Sequence, residues 1–131
     1  RLYASRDYLA ARGPIDTVDV LSDHRLIGYV DDLIYSPQLR YFDEVLPGLH
    51  PGLSSPSIIA QLEMTRAGSG LCILPKFIAN RHADLVPILT DAIEVNRSFW
   101  LAVHEDLADL ARIKVLSEYV VQKVRARQDE F

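Results

Sequence analysis

Four histidines, one cysteine and two adjacent aspartates are the side chains of this 131-residue sequence best suited to hold a metal ion or move a proton. A zinc site needs nitrogen or sulfur ligands clustered at short spacings. His24, His50, His82 and His104 have no such spacing among themselves or with Cys72, and they read as surface or loop residues. Cys72 lies inside Leu71-Cys72-Ile73-Leu74, the setting of a small buried hydrophobe; a reactive thiol needs exposed, electropositive surroundings. Asp31-Asp32 falls in a turn, where neighbouring acids are solvated, whereas the carboxylates of glycoside hydrolysis come from separated positions. Gly68-Ser69-Gly70 has neither the spacing nor the strand-to-helix order of a nucleophile elbow, and it lacks the third glycine of a dinucleotide loop. The sequence assembles no catalytic site, metal site or cofactor site.

A different kind of chemistry is available at Ser54 to Ser57, the start of "SSPSIIAQLEMTRAGSGLCILP". These residues lead from a short strand near Gly52-Leu53 into a helix. In open α/β sheets, ligands bind outside the carboxyl ends of strands, where helix N-termini converge. Backbone N–H groups and the positive helix end favour a carboxylate or phosphate there, and serine hydroxyls add adjustable donors. The plain alternative is a serine cap that satisfies the helix and does nothing more.

The elements that must position this turn follow from pattern and punctuation. Leu2-Tyr3-Ala4 reads as a strand, Ser5 as a helix cap, and Arg6–Arg12 as a helix stopped by Gly13-Pro14. Arg25–Val30 is a strand, Asp31-Asp32 a turn and Leu33–Tyr35 extended. Pro37–Leu46 is a helix with Leu39, Phe42 and Leu46 on one face, ended by Pro47-Gly48. Ser55 then caps a helix with Pro56 at its first position and Ile58, Ile59 and Leu62 as the inner stripe, closed by Gly68. Leu71–Leu74 is continuously apolar, as a strand covered on both faces must be. Pro75 opens a short helix through Arg81, and Leu85–Leu89 is an edge strand because of Pro87. The alternation predicts an α/β fold with a mainly parallel sheet flanked by helices.

The last third departs from that rhythm. Ile93–His104 has strand character over about twelve residues, roughly 40 Å at ~3.3 Å per residue, about twice a usual strand. A strand so long bends or serves two sheets, with Asn96-Arg97-Ser98 as the crossing and Phe99–Val103 central in a second sheet. A helix follows from Ala111 to Arg125, with Ile113, Leu116, Val120 and Val124 on one face and Lys114 paired with Glu118. One strand and one helix are too few for a lobe, and both chain ends read as cut from something larger.

Composition sets the outer bounds. Nearly half the residues are apolar and 24% are charged, with 18 acidic and 14 basic side chains. Clustered Lys and Arg are what nucleic acid rewards, so this chain is not expected to grip DNA by itself. There is no apolar run of membrane-spanning length and no signal-peptide core, and a reducing, cytoplasmic setting is expected.

Taken in order and spacing, "LYASRDYLAARGP", "DHRLIGY", "SSPSIIAQLEMTRAGSGLCILPKFIA", "DLVPIL" and "FWLAVHEDL" with its following helix resemble the effector-binding region of LysR-type transcriptional regulators. The resemblance implies a periplasmic-binding-protein-like (type 2) fold of two α/β lobes joined by crossing strands, with a small effector between them. It further implies that residues 1–97 form the second lobe and that 98–131 supply the returning strand and C-terminal helix of a first lobe. By position, Ser54, Ser55, Pro56 and Ser57 then carry the effector contacts, with Lys76 and Phe77 near the same cleft. The implied partners are a small anionic effector, a second copy of the chain, and DNA only through an N-terminal helix-turn-helix not present here. The competing reading is one lobe of a solute-binding transport protein.

Overall fold

The computed structural model describes residues 1–128, which divide into two compact units, 1–96 and 97 onward. In the first unit the chain forms β1 (Leu2–Ser5), α1 (Arg6–Arg12), β2 (Leu26–Gly28), α2 (Tyr41–Val45), β3 (Leu53–Ser54), α3 (Ile58–Arg66), β4 (Leu71–Ile73), α4 (Lys76–Ala79) and β5 (Leu85–Pro87). The strands make one sheet in the order β3-β2-β4-β1-β5. β2 pairs in parallel with β3 and β4, while β1 is antiparallel to both β4 and β5. Four strands therefore point one way and β1 alone runs against them, so the sheet is mixed but mainly parallel in direction. β5 takes the edge position that Pro87 demands, since proline donates no ladder hydrogen bond.

Strand alternation sorts the core into two faces. Leu2, Ala4, Leu26, Leu71 and Ile73 face one layer, which is completed by Tyr8, Ile15, Leu21, Phe42 and Leu49 from α1, α2 and the connecting loops. Tyr3, Ile27, Cys72 and Leu74 face the other, beneath Leu62 of α3 and Ala79 of α4. The apolar run at Leu71–Leu74 is thus buried on both sides, as its composition requires.

Local punctuation closes the helices as the sequence indicates. Ser5 Oγ accepts the Tyr8 N–H, and Gly13 ends α1 at φ +86°. α3 closes in a Schellman motif: Ser69 N–H reaches the Met64 carbonyl, Gly68 N–H reaches Thr65, and Gly68 sits at φ +73°. At the outer end of α3, Arg66 grips Asp84, just ahead of β5, at 2.9 Å.

Other expectations require correction. Ile93–His104 is not a strand: no ladder forms there, because within this chain the segment has no neighbouring strand to pair with. Pro37–Leu46 is not one helix but a 3₁₀ turn at Pro37–Leu39 followed by α2, broken where Arg40 leaves helical geometry at ψ +62°. Leu33–Tyr35 is not simply extended either, as Asp31–Leu33 forms a second 3₁₀ turn. Of the expected inner stripe, Leu62 is buried and Ile58 packs partly buried beside it, but Ile59 is 54% exposed, and Gln61 and Thr65 complete the inward face of α3. The helix after Pro75 is confined to Lys76–Ala79.

In the second unit, α5 (Glu105–Ala108) and α6 (Ala111–Arg125) form a short helical pair. No residue of either helix is buried. Lys114 pairs with Asp109 at 2.9 Å rather than with Glu118, consistent with the weaker Lys-before-Glu order.

Gly70 gives a direct test of how tightly the sheet is assembled. A Cβ at this position would collide with the Arg25 carbonyl, the group that accepts the Leu71 N–H at 2.9 Å where β4 joins β2. Gly70→Ala is expected to cost about 3 kcal/mol, at the upper end of ordinary overpacking. Urea denaturation checks this, with a lower midpoint at an unchanged slope expected.

Candidate functional site

The parallel register fixes where the serine turn lies. Ile27 is level with Leu53 and Gly28 with Ser54, and the ladder extends one step further as Ser55 N–H donates to the Gly28 carbonyl at 3.0 Å. On the opposite side of β2, Leu26 is level with Leu71 and Ile27 with Cys72. β2, β3 and β4 therefore end together. The serine turn leaves β3, and Pro75-Lys76-Phe77 leaves β4, at one edge of the sheet, two strand spacings or about 10 Å apart.

The backbone of the serine turn is satisfied almost entirely from within. Ser57, not Ser55, is the N-cap: its carbonyl accepts the Gln61 N–H at 3.0 Å and its Oγ accepts the Ala60 N–H at 3.4 Å. The reason is that Ser55 is already committed, its N–H to β2, its Oγ to the Ser57 N–H at 3.2 Å, and its carbonyl to Gln61 Nε2 at 2.7 Å. Pro56 therefore stands ahead of the cap, where its missing N–H costs nothing and its ring holds Ser55 extended. Ser54, Pro56 and Ser57 are exposed and Ser55 is half-buried.

This arrangement has a definite chemical capacity. A serine oxygen that accepts an N–H keeps its own O–H proton to donate outward. The helix geometry leaves Ile58 and Ile59 N–H without intrahelical acceptors, and the positive end of α3 is at the same place. Hydroxyl and amide donors thus gather at one point, with no carboxylate among Ser54–Ser57 to oppose an anion. Lys76 and Phe77, both half-buried in the first turn of α4, lie along the same edge.

A feature not legible in the sequence lies across β2. Tyr29 and Tyr41 meet at 5.8 Å between ring centroids, tilted by 60°, and line a shallow hollow with Arg40, Phe42 and His50. Burial pushes the Tyr29 phenol upward, partly offset by its hydrogen bond with Tyr41. The two tyrosines are twelve residues apart and joined by two 3₁₀ turns, so no local spacing announces the pair.

Two of the four histidines have side-chain partners: His104 Nδ1 accepts the Asp106 N–H at 3.3 Å, and His24 meets a tyrosine. His24 Nδ1 lies 2.9 Å from the Tyr8 hydroxyl. Among the described residues, no three His, Cys, Asp or Glu side chains are placed to share a metal ion. Burial pushes the Cys72 thiol up to about 12. In the native chain at pH 8 it is expected to resist alkylation by iodoacetamide and to react rapidly once urea unfolds the protein. Comparable rates in both states, measured by mass spectrometry, would contradict that environment. Ser57→Ala is expected to cost ~1 kcal/mol by removing the α3 cap, and the shift in thermal midpoint reads it.

No curated protein matches the chain. Two solved structures share its fold with a TM-score of 0.71 at 20% identity. One is the regulatory domain of CrgA, a LysR-type transcriptional regulator from Neisseria meningitidis, matched over 94% of this chain and 63% of that one. The other is CrgA itself, matched over 95% and 44%. The chain thus spans less than two thirds of either structure. The family model described as "LysR substrate binding domain" matches residues 1–125. With that match over almost its whole length, and with its periplasmic-binding-protein-like α/β fold, the chain belongs to the LysR substrate binding domain family.

Proposed function

We propose that this chain is the effector-sensing part of a bacterial LysR-type transcriptional regulator that works in the cytoplasm without catalysing a reaction. Residues 54–57 contribute one wall of a cleft that receives a small anionic effector, with Lys76 and Phe77 beside them. The observation that carries this reading is the convergence of serine hydroxyls and helix N–H groups where three parallel strands end. An anion there gains from charge-assisted hydrogen bonds, about 1.5–3 kcal/mol each. The family match favours a regulator over a solute-binding transport lobe.

In this reading, residues 98–131 return to a first lobe, where Phe99–Val103, unpaired in this chain, would find a neighbouring strand and Phe99 and Trp100 would be core residues. They are 69% and 90% exposed here, and Val115, Leu116, Tyr119 and Val124 of α6 are exposed with them. Apolar surface on this scale is characteristic of an interface. DNA contact belongs to an N-terminal helix-turn-helix of the intact regulator, which acts as a homodimer or higher oligomer. Effector binding shifts its DNA affinity by favouring one arrangement of lobes or subunits over another.

The test is a screen of small carboxylates and phosphates against the intact regulator, followed by calorimetry on Ser55→Ala and Ser57→Ala. Each substitution is expected to weaken binding of the effector found by roughly tenfold, the equivalent of one such hydrogen bond. Unchanged affinity in both variants would remove the site from the serine turn.

A further inference from the structure

Gln61 is the one long polar side chain packed wholly inside the first unit, 0% exposed on the inward face of α3. Its amide touches two elements at once. Nε2 donates to the Ser55 carbonyl at 2.7 Å, and Oε1 accepts the Cys72 thiol at 3.6 Å from the centre of β4. Thr65 Oγ1, equally buried, donates to the Gln61 backbone carbonyl at 2.8 Å. Burying a glutamine costs the desolvation of an amide, which an apolar residue would not incur here. What the amide gains is a hold on Ser55. That carbonyl precedes the Ser57 cap, so it takes no part in the helical ladder.

We infer that Gln61 is the positioning residue of the effector site: it ties the serine turn to the sheet, so that the hydroxyls of Ser55 and Ser57 and the N–H groups of Ile58 and Ile59 keep one fixed, outward-facing geometry. The inference rests on the reading of this turn as the effector site, but Gln61 itself touches no effector. Without its amide, the Ser55 carbonyl loses its donor, and the turn keeps only the Ser55 N–H on Gly28, the Ser55 hydroxyl on the Ser57 N–H and the Ser57 cap. Donors that must be ordered at the moment of binding give up affinity to entropy, whereas donors held in advance do not.

The experiment is amide hydrogen exchange by NMR on the 131-residue chain, combined with a titration by inorganic sulfate. Gln61→Met keeps the length and removes the donor. It is expected to speed exchange at Ser57 and Ala60 tenfold or more, to leave Cys72 and Ile73 of β4 unchanged, and to weaken the sulfate-dependent shifts at Ile58 and Ile59 several-fold. Gln61→Glu supplies a donor only while protonated, and burial raises the pKa of such a carboxyl. Its turn should therefore be protected at pH 5 and resemble Gln61→Met at pH 8, a dependence that packing alone would not produce. In the unsubstituted chain, one Gln61 Nε2 proton should exchange slowly, a reading that needs no variant to fold. Unchanged protection at Ser57 and Ala60 in Gln61→Met would overturn the inference. So would equal loss at the turn and at β4 in both variants at every pH, or fast exchange of both Nε2 protons. A sulfate titration that shifts nothing in the unsubstituted chain would instead overturn the anion site, while the exchange rates decide separately whether Gln61 holds the turn.

Discussion

Everything at the candidate site hangs from β2, a three-residue strand paired in parallel on both sides. Parallel pairing leaves no freedom over which ends meet: once β3 and β4 align with β2, the turns that leave them must emerge at the same edge. The junction of β4 with β2 is also a close backbone approach, since Gly70 passes the Arg25 carbonyl at a separation no side chain would permit. A second glycine, Gly28, lets Phe42 and Pro51 close over the end of β2 on the other face. Two positions without side chains thus fix the frame, and the polar turns take their relative placement from it.

The legible part of this fold was the part written in local chemistry. Glycines at positive φ after α1 and α3, the serine before Tyr8, the continuous apolar run at Leu71–Leu74 and the proline of β5 each act within a few residues, and each does what its type predicts. The failures share a different cause. Ile93–His104 has strand composition but no partner strand, and a strand is defined by pairing, which composition does not supply. Ser57 rather than Ser55 caps α3, because the commitments of Ser55 to Gly28 and Gln61 come from elements that spacing cannot see. Ile59 fits a helical stripe on paper, yet Gln61 occupies the inward face and turns Ile59 to solvent. Apolar periodicity ranks residues by type, so a buried amide is invisible to it.

For the site, the residue types were legible and their division of labour was not. Ser54–Ser57 were recognisable as donors at a helix start, and the family resemblance supplied a cleft for them to face. The structure adds the internal economy of the turn: Ser57 caps α3, Ser55 braces Ser57, and Gln61 braces Ser55. The Ser55 and Ser57 hydroxyls are each engaged as an acceptor, so what remains available is the proton. The turn is therefore biased toward acceptor ligands by its own hydrogen bonding, before any field from the helix is counted. That field is modest, about 0.3–1 kcal/mol at an exposed helix end, and it acts in a chain of net charge −4. Oriented hydroxyl and amide protons, rather than bulk electrostatics, must then supply selectivity for an anion.

The same magnitudes argue that one wall is not enough for a sensor. Two or three charge-assisted hydrogen bonds on an open edge amount to a few kcal/mol before the entropy of immobilising the ligand is subtracted. Such binding falls in the millimolar range, where 1 mM corresponds to about −4 kcal/mol. A response that moves a two-state equilibrium from mostly off to mostly on needs a difference of about 5.5 kcal/mol between the states. The difference arises when a ligand held by the serine turn also meets a second surface in one state and loses it in the other. A rigid turn suits that arrangement, because strain absorbed locally by a soft turn would never reach the lobe opposite. In the proposed reading, the buried amide behind Ser55 then bears on signalling as well as on affinity, because it would pass the weak grip of one edge on as a preference for closure.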